Sequence, residues 1–217
     1  MNSFPLLDPA SAALVIFGTL AATLLRCGWA DSRAALSALA QLFGPRFNPV
    51  HARAELAIQV QEIEEDGLVR AGVHHIGDGE FDEMTDALLK TRTIEALYER
   101  HTEHRVRRIE SARRAGTVLA RAAELAPVLG LVGTLVSLGG LSTAVAEDGD
   151  YARAIAMAVA TTLYGLVAAN FVFAPLAAVV TRRAEQEDTA REEIIAWLLA
   201  AVETSCQKPN EPARNAA

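Results

Sequence analysis

The sequence has little cysteine and no early positive charge, and both shortages exclude whole classes of protein. Its two cysteines, Cys27 and Cys206, stand far apart and outside any CxxC or Cys/His pattern, so we predict neither a disulfide framework nor a metal site. No Lys or Arg precedes Arg26, whereas a cleaved signal peptide needs a basic segment before its apolar run. We therefore expect the first apolar segment to be retained. The net charge of −7 argues against nucleic acid as a partner.

Charge is also missing from three long stretches of the chain. Asp, Glu, His, Lys and Arg are absent from Pro9–Leu25, Leu125–Ala146 and Ala154–Thr181. A bilayer core about 30 Å thick needs about 20 apolar residues of helix to cross it. The second and third stretches meet that length, and the first does so when neighbouring apolar residues are added. We predict an all-α integral membrane protein with three transmembrane helices and a helical cytoplasmic domain between the first and the second.

The flanking charges orient these helices. Arg26 and Arg33 follow the first span, a cluster of arginines precedes the second, and Arg182 and Arg183 follow the third, whereas residues 147–153 are mainly acidic. Because excess Lys and Arg marks the cytoplasmic side, we expect the N-terminus outside and the C-terminus inside. The chain then divides into an N-terminal transmembrane helix (1–30), a cytoplasmic helical domain (31–114), a transmembrane hairpin (115–183), and a C-terminal helix with a disordered tail (184–217).

Apolar spacing predicts the helices of the cytoplasmic part. Amphipathic helices are expected over Asp31–Phe43 and Ala52–Glu64, separated by two proline-containing breaks. Gly67–Glu83 is interpreted as a connector, and a long helix is expected to begin at Phe81, with Asp82 as its N-cap, and to run into the second span. The tail after the third span also has helical spacing. We expect one face of the long helix to consist of Met84, Leu88, Thr91, Glu95, Tyr98 and Thr102.

Small and hydroxyl-bearing residues form stripes on the second and third spans. In lipid, such residues mark the faces on which helices pack. Spacing leaves Thr134 and Thr162 open to two interpretations, packing or pore lining, because a threonine can also bond its own helix carbonyl. Pro127 and Pro175 fall inside apolar runs and indicate kinked segments. The residues that we assign to helix packing are Gly130, Gly133, Gly165, Ala169 and Asn170.

Three function classes are open to such a chain: an ion-conducting subunit, a non-conducting membrane scaffold and a membrane enzyme. For an enzyme the best residues are His74, His75, His101 and His104, with Glu103 beside the last pair. The spacing of His101 and His104 could suit a metal, but no HExxH motif or third ligand accompanies them. We interpret them as surface residues of a charged helix, and we predict no enzyme activity.

Two motifs resemble the MotA/TolQ/ExbB proton channel family. Residues 126–134, APVLGLVGT, are similar to the family's APxLGLLGT signature in the penultimate helix, and residues 160–170, ATTLYGLVAAN, with Pro175 beyond, look like its last helix. The resemblance covers Ala115–Ala184 and extends more weakly to Asp8–Leu25. The flagellar branch of the family has four spans and the TolQ and ExbB branches have three. This chain has three by count, while its tyrosine and asparagine near Gly165 look more like the flagellar branch.

The resemblance implies a proton-channel subunit of the bacterial inner membrane that needs no cofactor. It implies a homo-pentamer around two copies of a single-span partner similar to MotB, TolR or ExbD, whose aspartate binds the proton. Thr162 matches the family's hydroxyl facing that carboxylate, and Pro127 and Pro175 match its two mechanistic prolines. A non-conducting scaffold subunit is the alternative. The residues that we expect along the proton pathway are Thr134, Thr161, Thr162 and Tyr164.

Overall fold

The computed structural model describes residues 9–66, 77–139 and 148–207. Every regular element within these ranges is helical, which confirms the all-α prediction. The elements are α1 (Pro9–Cys27), α2 (Trp29–Leu42), α3 (Pro49–Asp66), α4 (Gly79–Thr91), α5 (Ile94–Gly139), α6 (Asp148–Val167), a π-helical turn (Ala168–Phe173) and α7 (Ala174–Gln207). They belong to two compact units, the first comprising residues 1–44 and 111–183 and the second residues 45–110 and 184–217.

The two amphipathic helices expected after the first span are confirmed as α2 and α3. Helix α2 is separate from α1, because Gly28 between them has a φ of 83°, a conformation that breaks the helix and suits glycine. Helix α3 begins at Pro49, a residue that fits the first helical position because its missing N–H would have no partner there. The side-chain oxygen of Asn48 accepts hydrogen bonds from the next free backbone N–H groups, those of Val50 and His51.

The predicted start of the long helix is wrong. The connector ends earlier than expected, and α4 begins at Gly79, whereas residues 67–76 of that connector lie outside the described ranges. Asp78, not Asp82, is the N-cap, because its carboxylate accepts hydrogen bonds from the backbone N–H groups of Glu80 and Phe81 at 3.1 and 3.4 Å. The cap satisfies donors that have no partner inside the helix.

The predicted continuity of that helix is also wrong. Arg92 adopts the left-handed conformation, with a φ of 58°, and donates its backbone N–H to the carbonyl of Leu88, which ends α4. Helix α5 then starts at Ile94 and does run through to Gly139 without a break. Only the first two members of the expected face are buried, because Thr91 is at the exposed C-terminal end of α4 and the break changes the register of the three that follow. These two are Met84 and Leu88, while the exposed ones are Thr91, Glu95, Tyr98 and Thr102.

Within the described residues, two helical runs are long and apolar enough to cross a membrane. They are α5, with a mean hydropathy of 1.6 over its most apolar stretch, and Tyr151–Val202, with a mean hydropathy of 2.0. The first predicted span is a shorter apolar helix, Ser11–Cys27. The second and third spans therefore have helices of sufficient length, and the three-span topology stays a prediction.

The first unit packs through hydroxyls and small residues. Helix α1 lies against α2 and α6, and its buried Thr19 and Thr23 donate to the carbonyls of Val15 and Thr19 one turn earlier, so neither hydroxyl is left unsatisfied. The inner face of α2 packs on α5 and α7 around a small apolar cluster. Its buried members are Ala35, Ala115, Val118, Leu119 and Val180.

The second unit has an apolar core with a buried cation beside it. The tail helix contributes Ile194, Ile195, Leu198 and Val202 to this core, as the spacing predicted. Arg191 is 6% exposed and lies over the rings of Phe47 and Phe81, at 4.2 and 5.3 Å from their centroids. Stacking on aromatic faces suits a planar guanidinium and shields it from water.

Three carboxylates neutralise this buried arginine. Asp78 accepts two hydrogen bonds from Arg191, at 3.1 and 2.7 Å, and Glu80 and Glu187 lie at 3.3 and 3.0 Å. Burial disfavours the charged form of Asp78, yet the hydrogen bonds and charge of Arg191 outweigh it and lower the pKa of that carboxyl below 3.8. Burial likewise opposes the charge of Arg191, but Asp78 and its neighbours raise the pKa of Arg191 above its usual value. Asp78 and Arg191 therefore both stay ionised.

Candidate functional site

Helices α5 and α6 approach each other at their glycines. A Cβ atom placed on Gly165 would lie 2.6 Å from the carbonyl oxygen of Ala126 and 3.1 Å from the Cα of Gly130. One placed on Gly130 would lie 2.9 Å from the carbonyl oxygen of Thr161. Neither position has room for a side chain, so the two backbones are in direct contact. This is the arrangement that small residues permit between membrane helices.

Thr161 belongs to this packed contact. Thr161 is fully buried, and a Cβ atom placed on Gly133 would lie 2.8 Å from the Cβ of Thr161. Its hydroxyl donates to the carbonyl of Ala158 at 2.9 Å, so its polar group is satisfied within α6. Thr161 therefore fills the space above Gly133 and faces α5 directly.

Beside the packed contact lies an open groove of about 560 Å³ in the first unit. Helix α5 supplies two of its lining residues and α6 supplies the others. Six of the eight are apolar, and the two polar ones are Thr134 and Thr162, one from each helix. The apolar lining residues are Leu138, Ile155, Ala158, Val159, Leu163 and Leu166.

The two hydroxyls of the groove are held unequally. Thr134 donates to the carbonyl of Leu131 at 2.6 Å, whereas Thr162 donates to that of Ala158 at 3.3 Å. A hydrogen bond weakens as it lengthens beyond about 3 Å, so the Thr162 hydroxyl gives up its helix partner at the lower cost. Thr162 is thus the polar group of the groove best able to bond a second molecule.

The other residues expected along the pathway or in the packing lie elsewhere on α6 and the π-helical turn. Tyr164 is half-buried and does not line the groove. Ala169 is buried, while Asn170 is exposed and donates its side-chain amide to the carbonyl of Leu166 at 2.9 Å. The structure therefore brings together Thr134 and Thr162, and separates them from Thr161, Tyr164 and Asn170.

The two prolines have different local surroundings. Pro127 lies within α5, which continues past it, next to the Ala126 carbonyl that touches Gly165. Pro175 follows the π-helical turn, in which the N–H of Ala174 reaches back five residues to the carbonyl of Ala169. The wider turn is a local adjustment beside a residue that lacks an N–H of its own. The sequence contained no signal for this turn other than the proline itself.

His101 and His104 are not surface residues as expected. His101 is only 5% exposed, and burial, followed by the charges of Arg108 and Arg105, lowers its pKa below 6.5. His104 bonds Glu83 at 2.9 Å. His74 and His75 lie outside the described residues. Across the described part of the chain, no three His, Cys, Asp or Glu side chains converge as metal ligands would.

The fold and groove define a class of protein: a membrane-helix bundle whose longest helices continue into a second, charged unit. Comparison with known proteins gives the family. The family model described as "MotA/TolQ/ExbB proton channel family" matches residues 61–193, more than half of the chain. The chain therefore belongs to the MotA/TolQ/ExbB proton channel family, which is a family of channel subunits and not of enzymes.

Some of the individual relatives are named for chemotaxis and motility. The chain is 32% identical to the chemotaxis protein PomA of Vibrio alginolyticus over 146 residues, which are 67% of this chain and 52% of PomA. It is 30% identical to motility protein A of Treponema phagedenis over 142 residues, 65% of this chain and 50% of that protein. The chain thus spans about half the length of these relatives.

A solved structure supports the fold. The flagellar MotAB stator complex from Bacillus subtilis matches with a TM-score of 0.80 and 20% identity, covering 92% of this chain and 80% of that chain. At this identity the match concerns the fold alone.

Proposed function

We propose that this chain is a stator-type proton-channel subunit that works with a single-span partner carrying the proton-binding aspartate. The observation that supports this most directly is the groove between α5 and α6. It is apolar except for the hydroxyls of Thr134 and Thr162, and the sequences of the two spans around it contain no Asp, Glu, His, Lys or Arg. Proton pathways through membranes use an ionisable group, so a second polypeptide has to supply it.

The groove has dimensions that suit one side of a transmembrane helix. Its lining on α6 extends from Ile155 to Leu166, about 16 Å of helix at 1.5 Å per residue. An aspartate entering at this level meets Thr162, whose weak bond to its own helix leaves the hydroxyl available. Thr134 stands opposite on α5. We assign Thr161 to packing and Thr134 and Thr162 to the pathway, with Tyr164 beyond the groove.

Protonation then decides how the partner's carboxyl contacts the groove. The neutral acid is tolerated between apolar walls when it hydrogen-bonds Thr162, whereas the ionised form pays a large desolvation penalty there. Release of the proton toward the cytoplasm restores the charge and moves the partner on to the next subunit. The transmembrane potential supplies about 2.3 kcal/mol per proton per 100 mV, enough to bias a two-state element of that size.

The assembly follows from the same assignment. Five copies of this chain surround two partner helices similar to those of MotB, TolR or ExbD. The chain crosses the bacterial inner membrane three times, with its N-terminus in the periplasm and its C-terminus in the cytoplasm. The arginines that follow Leu25 and Thr181 support this orientation. Similarity to PomA and to motility protein A favours the flagellar branch over the TolQ and ExbB branches.

Removing one hydroxyl tests the proposal. The chain and its single-span partner are co-purified, reconstituted into vesicles and given an imposed potential, and proton uptake is followed with an internal pH-sensitive dye. Thr162→Val keeps the shape but removes the hydrogen bond, so we expect uptake to fall about 10- to 100-fold, the cost of leaving the neutral carboxyl in the groove without its partner. Thr162→Ser should retain most of the uptake.

Thr117→Val is the matched control. Its hydroxyl also bonds a carbonyl one turn back on α5, that of Arg113, but it lies outside the groove. We expect uptake within twofold of the wild type. If Thr162→Val assembles with the partner and conducts as well as Thr117→Val does, the groove has no part in conduction. The chain is then a scaffold whose glycine contacts only hold the complex together.

A further inference from the structure

Helix α2 has two faces, and only one of them is used within the first unit. Its inner face packs through Ala35 on α5 and α7, and Arg183 of α7 donates to the carbonyl of Leu42 at 2.9 Å, which fixes the end of α2. On the outer side, Trp29, Leu36 and Phe43 recur every seven residues and therefore share one face. They are 73%, 66% and 93% exposed.

Helix α1, which precedes α2, also has exposed apolar residues. Phe17 and Leu25 of α1 are largely exposed, and Trp29 comes two residues after α1 ends. Gly28, with its φ of 83°, ends the first helix there and starts the second in a new direction. Exposed apolar residues therefore lie on both sides of Gly28, on the membrane helix and on the separate helix α2.

Two arginines lie near these exposed apolar residues in the sequence. Arg26 lies in the last turn of α1, and Arg33 lies one turn beyond Trp29; both are exposed. Asp31 is the only acidic residue of α2, and it is half-buried. Helices that lie in the membrane interface combine an apolar face with basic residues, and tryptophan is enriched at that depth.

We infer that the outer face of α2 binds the bilayer surface, with Trp29, Leu36 and Phe43 at the boundary between headgroups and acyl chains and with Arg26 and Arg33 on anionic headgroups. The inference rests on the membrane placement of the proposed function but not on conduction. It makes α2 a second, lateral membrane attachment of each subunit. Lipid headgroup composition then becomes a determinant of how firmly the subunit is held.

Tryptophan quenching measures the depth of α2 directly. The chain has two tryptophans, and Trp197→Phe leaves Trp29 as the only reporter in the full-length protein. In lipid nanodiscs, a nitroxide near the headgroup should quench Trp29 more than a nitroxide deep in the acyl chains, and aqueous acrylamide should quench it weakly. Two controls carry a single tryptophan in a background without Trp29 and Trp197. Leu135→Trp marks the centre of the second span, and Tyr98→Trp marks an exposed site of the second unit.

The pattern across the three reporters separates the outcomes. Acrylamide quenching of Trp29 equal to that of Tyr98→Trp would place α2 in water and overturn the inference. Shielding of Trp29 from both acrylamide and lipid nitroxides would place a protein partner on this face and overturn it equally. If Leu135→Trp is also open to acrylamide and closed to lipid, the membrane placement in the proposed function fails as well.

The headgroup preference has its own test. Quenching of Trp29 by nitroxide-labelled phosphatidylglycerol is compared with quenching by labelled phosphatidylcholine at low salt. The ratio of the apparent affinity for phosphatidylglycerol to that for phosphatidylcholine should exceed one. Arg26→Gln and Arg33→Gln should each lower this ratio about fivefold, which is the effect of about one basic residue at an anionic surface. Arg107→Gln, an exposed arginine of the second unit, should leave the ratio unchanged. A ratio of one in the unaltered protein refutes the anionic part of the inference.

Discussion

The buried arginine of the second unit gives the sharpest stability prediction. In Asp78→Asn the amide still caps α4, because asparagine is as good an N-cap as aspartate. What it loses is the charge that meets Arg191 through hydrogen bonds of 2.7 and 3.1 Å. The variant thus isolates the ion pair from the cap.

The size of the effect follows from what remains around Arg191. Breaking a largely buried pair costs about 3–5 kcal/mol when the surviving charge has no other partner. Here Glu80 and Glu187 still lie at 3.3 and 3.0 Å, so we expect a smaller loss of about 2–3 kcal/mol. Asp78→Ala should lose about 1 kcal/mol more, because it also removes the cap.

Hydrogen exchange of the α4 amides in nanodiscs measures this loss of stability without unfolding the membrane helices. A loss of 2–3 kcal/mol corresponds to exchange about 30- to 150-fold faster, since each 1.4 kcal/mol is a factor of about ten. Asp86→Asn is the matched control, because its partner Lys90 is exposed and such pairs contribute about 0.3–0.5 kcal/mol. If Asp78→Asn speeds exchange no more than Asp86→Asn does, the buried cluster does not hold α4 in place.

Two further predictions concern the glycine contact and the buried histidine. Gly165→Ala puts a methyl group 2.6 Å from the carbonyl oxygen of Ala126, so α5 and α6 must separate. We expect the free energy of unfolding to fall by about 1–3 kcal/mol, measured by thermal unfolding, and proton uptake to be lost. Gly139→Ala should be tolerated, because a Cβ atom placed there has no atom within 4 Å. Equal behaviour of the two variants would contradict the contact. For His101, the lowered pKa means that the unfolded chain binds more protons as the pH falls through 6.5, so the second unit should lose stability between pH 7.5 and 5.5. His101→Asn should reduce that loss in exchange measurements, and an unchanged pH dependence would refute the assignment.

Sequence periodicity was sufficient for the elements that depend on it. The charge-free stretches and the spacing of Ile194, Leu198 and Val202 identified helices and a buried face, because both are local properties of the chain. The family motifs, 126–134 and 160–170, pointed to the hairpin that holds the groove. Its glycines could be expected to pack, since lipid offers helices little other reason to approach.

Sequence could not tell Thr161 from Thr162. Adjacent residues on a helix point about 100° apart, so one faces α5 while the other opens into the groove, and only the position of α5 decides which is which. Arg191 was missed for a related reason. Its partner Asp78 is 113 residues away, and a charged residue on an amphipathic helix ordinarily faces water. The break at Arg92 was also missed, because the residue with positive φ is not a glycine and the sequence there contains no helix-ending signal.

The apolar lining of the groove matters more to the proposed mechanism than its two hydroxyls. The Thr162 hydroxyl stabilises the bound neutral acid by one hydrogen bond, about 1–3 kcal/mol. The apolar walls, which include Leu138, Ile155 and Leu163, favour the protonated carboxyl more strongly, because the ionised carboxyl bears a larger desolvation penalty there. Each proton brings only about 2.3 kcal/mol per 100 mV, so the ionised carboxyl cannot stay between these walls and has to leave once the proton is released. An apolar groove thus couples each proton to one step, and the Thr162 hydroxyl determines where on the wall the neutral acid binds.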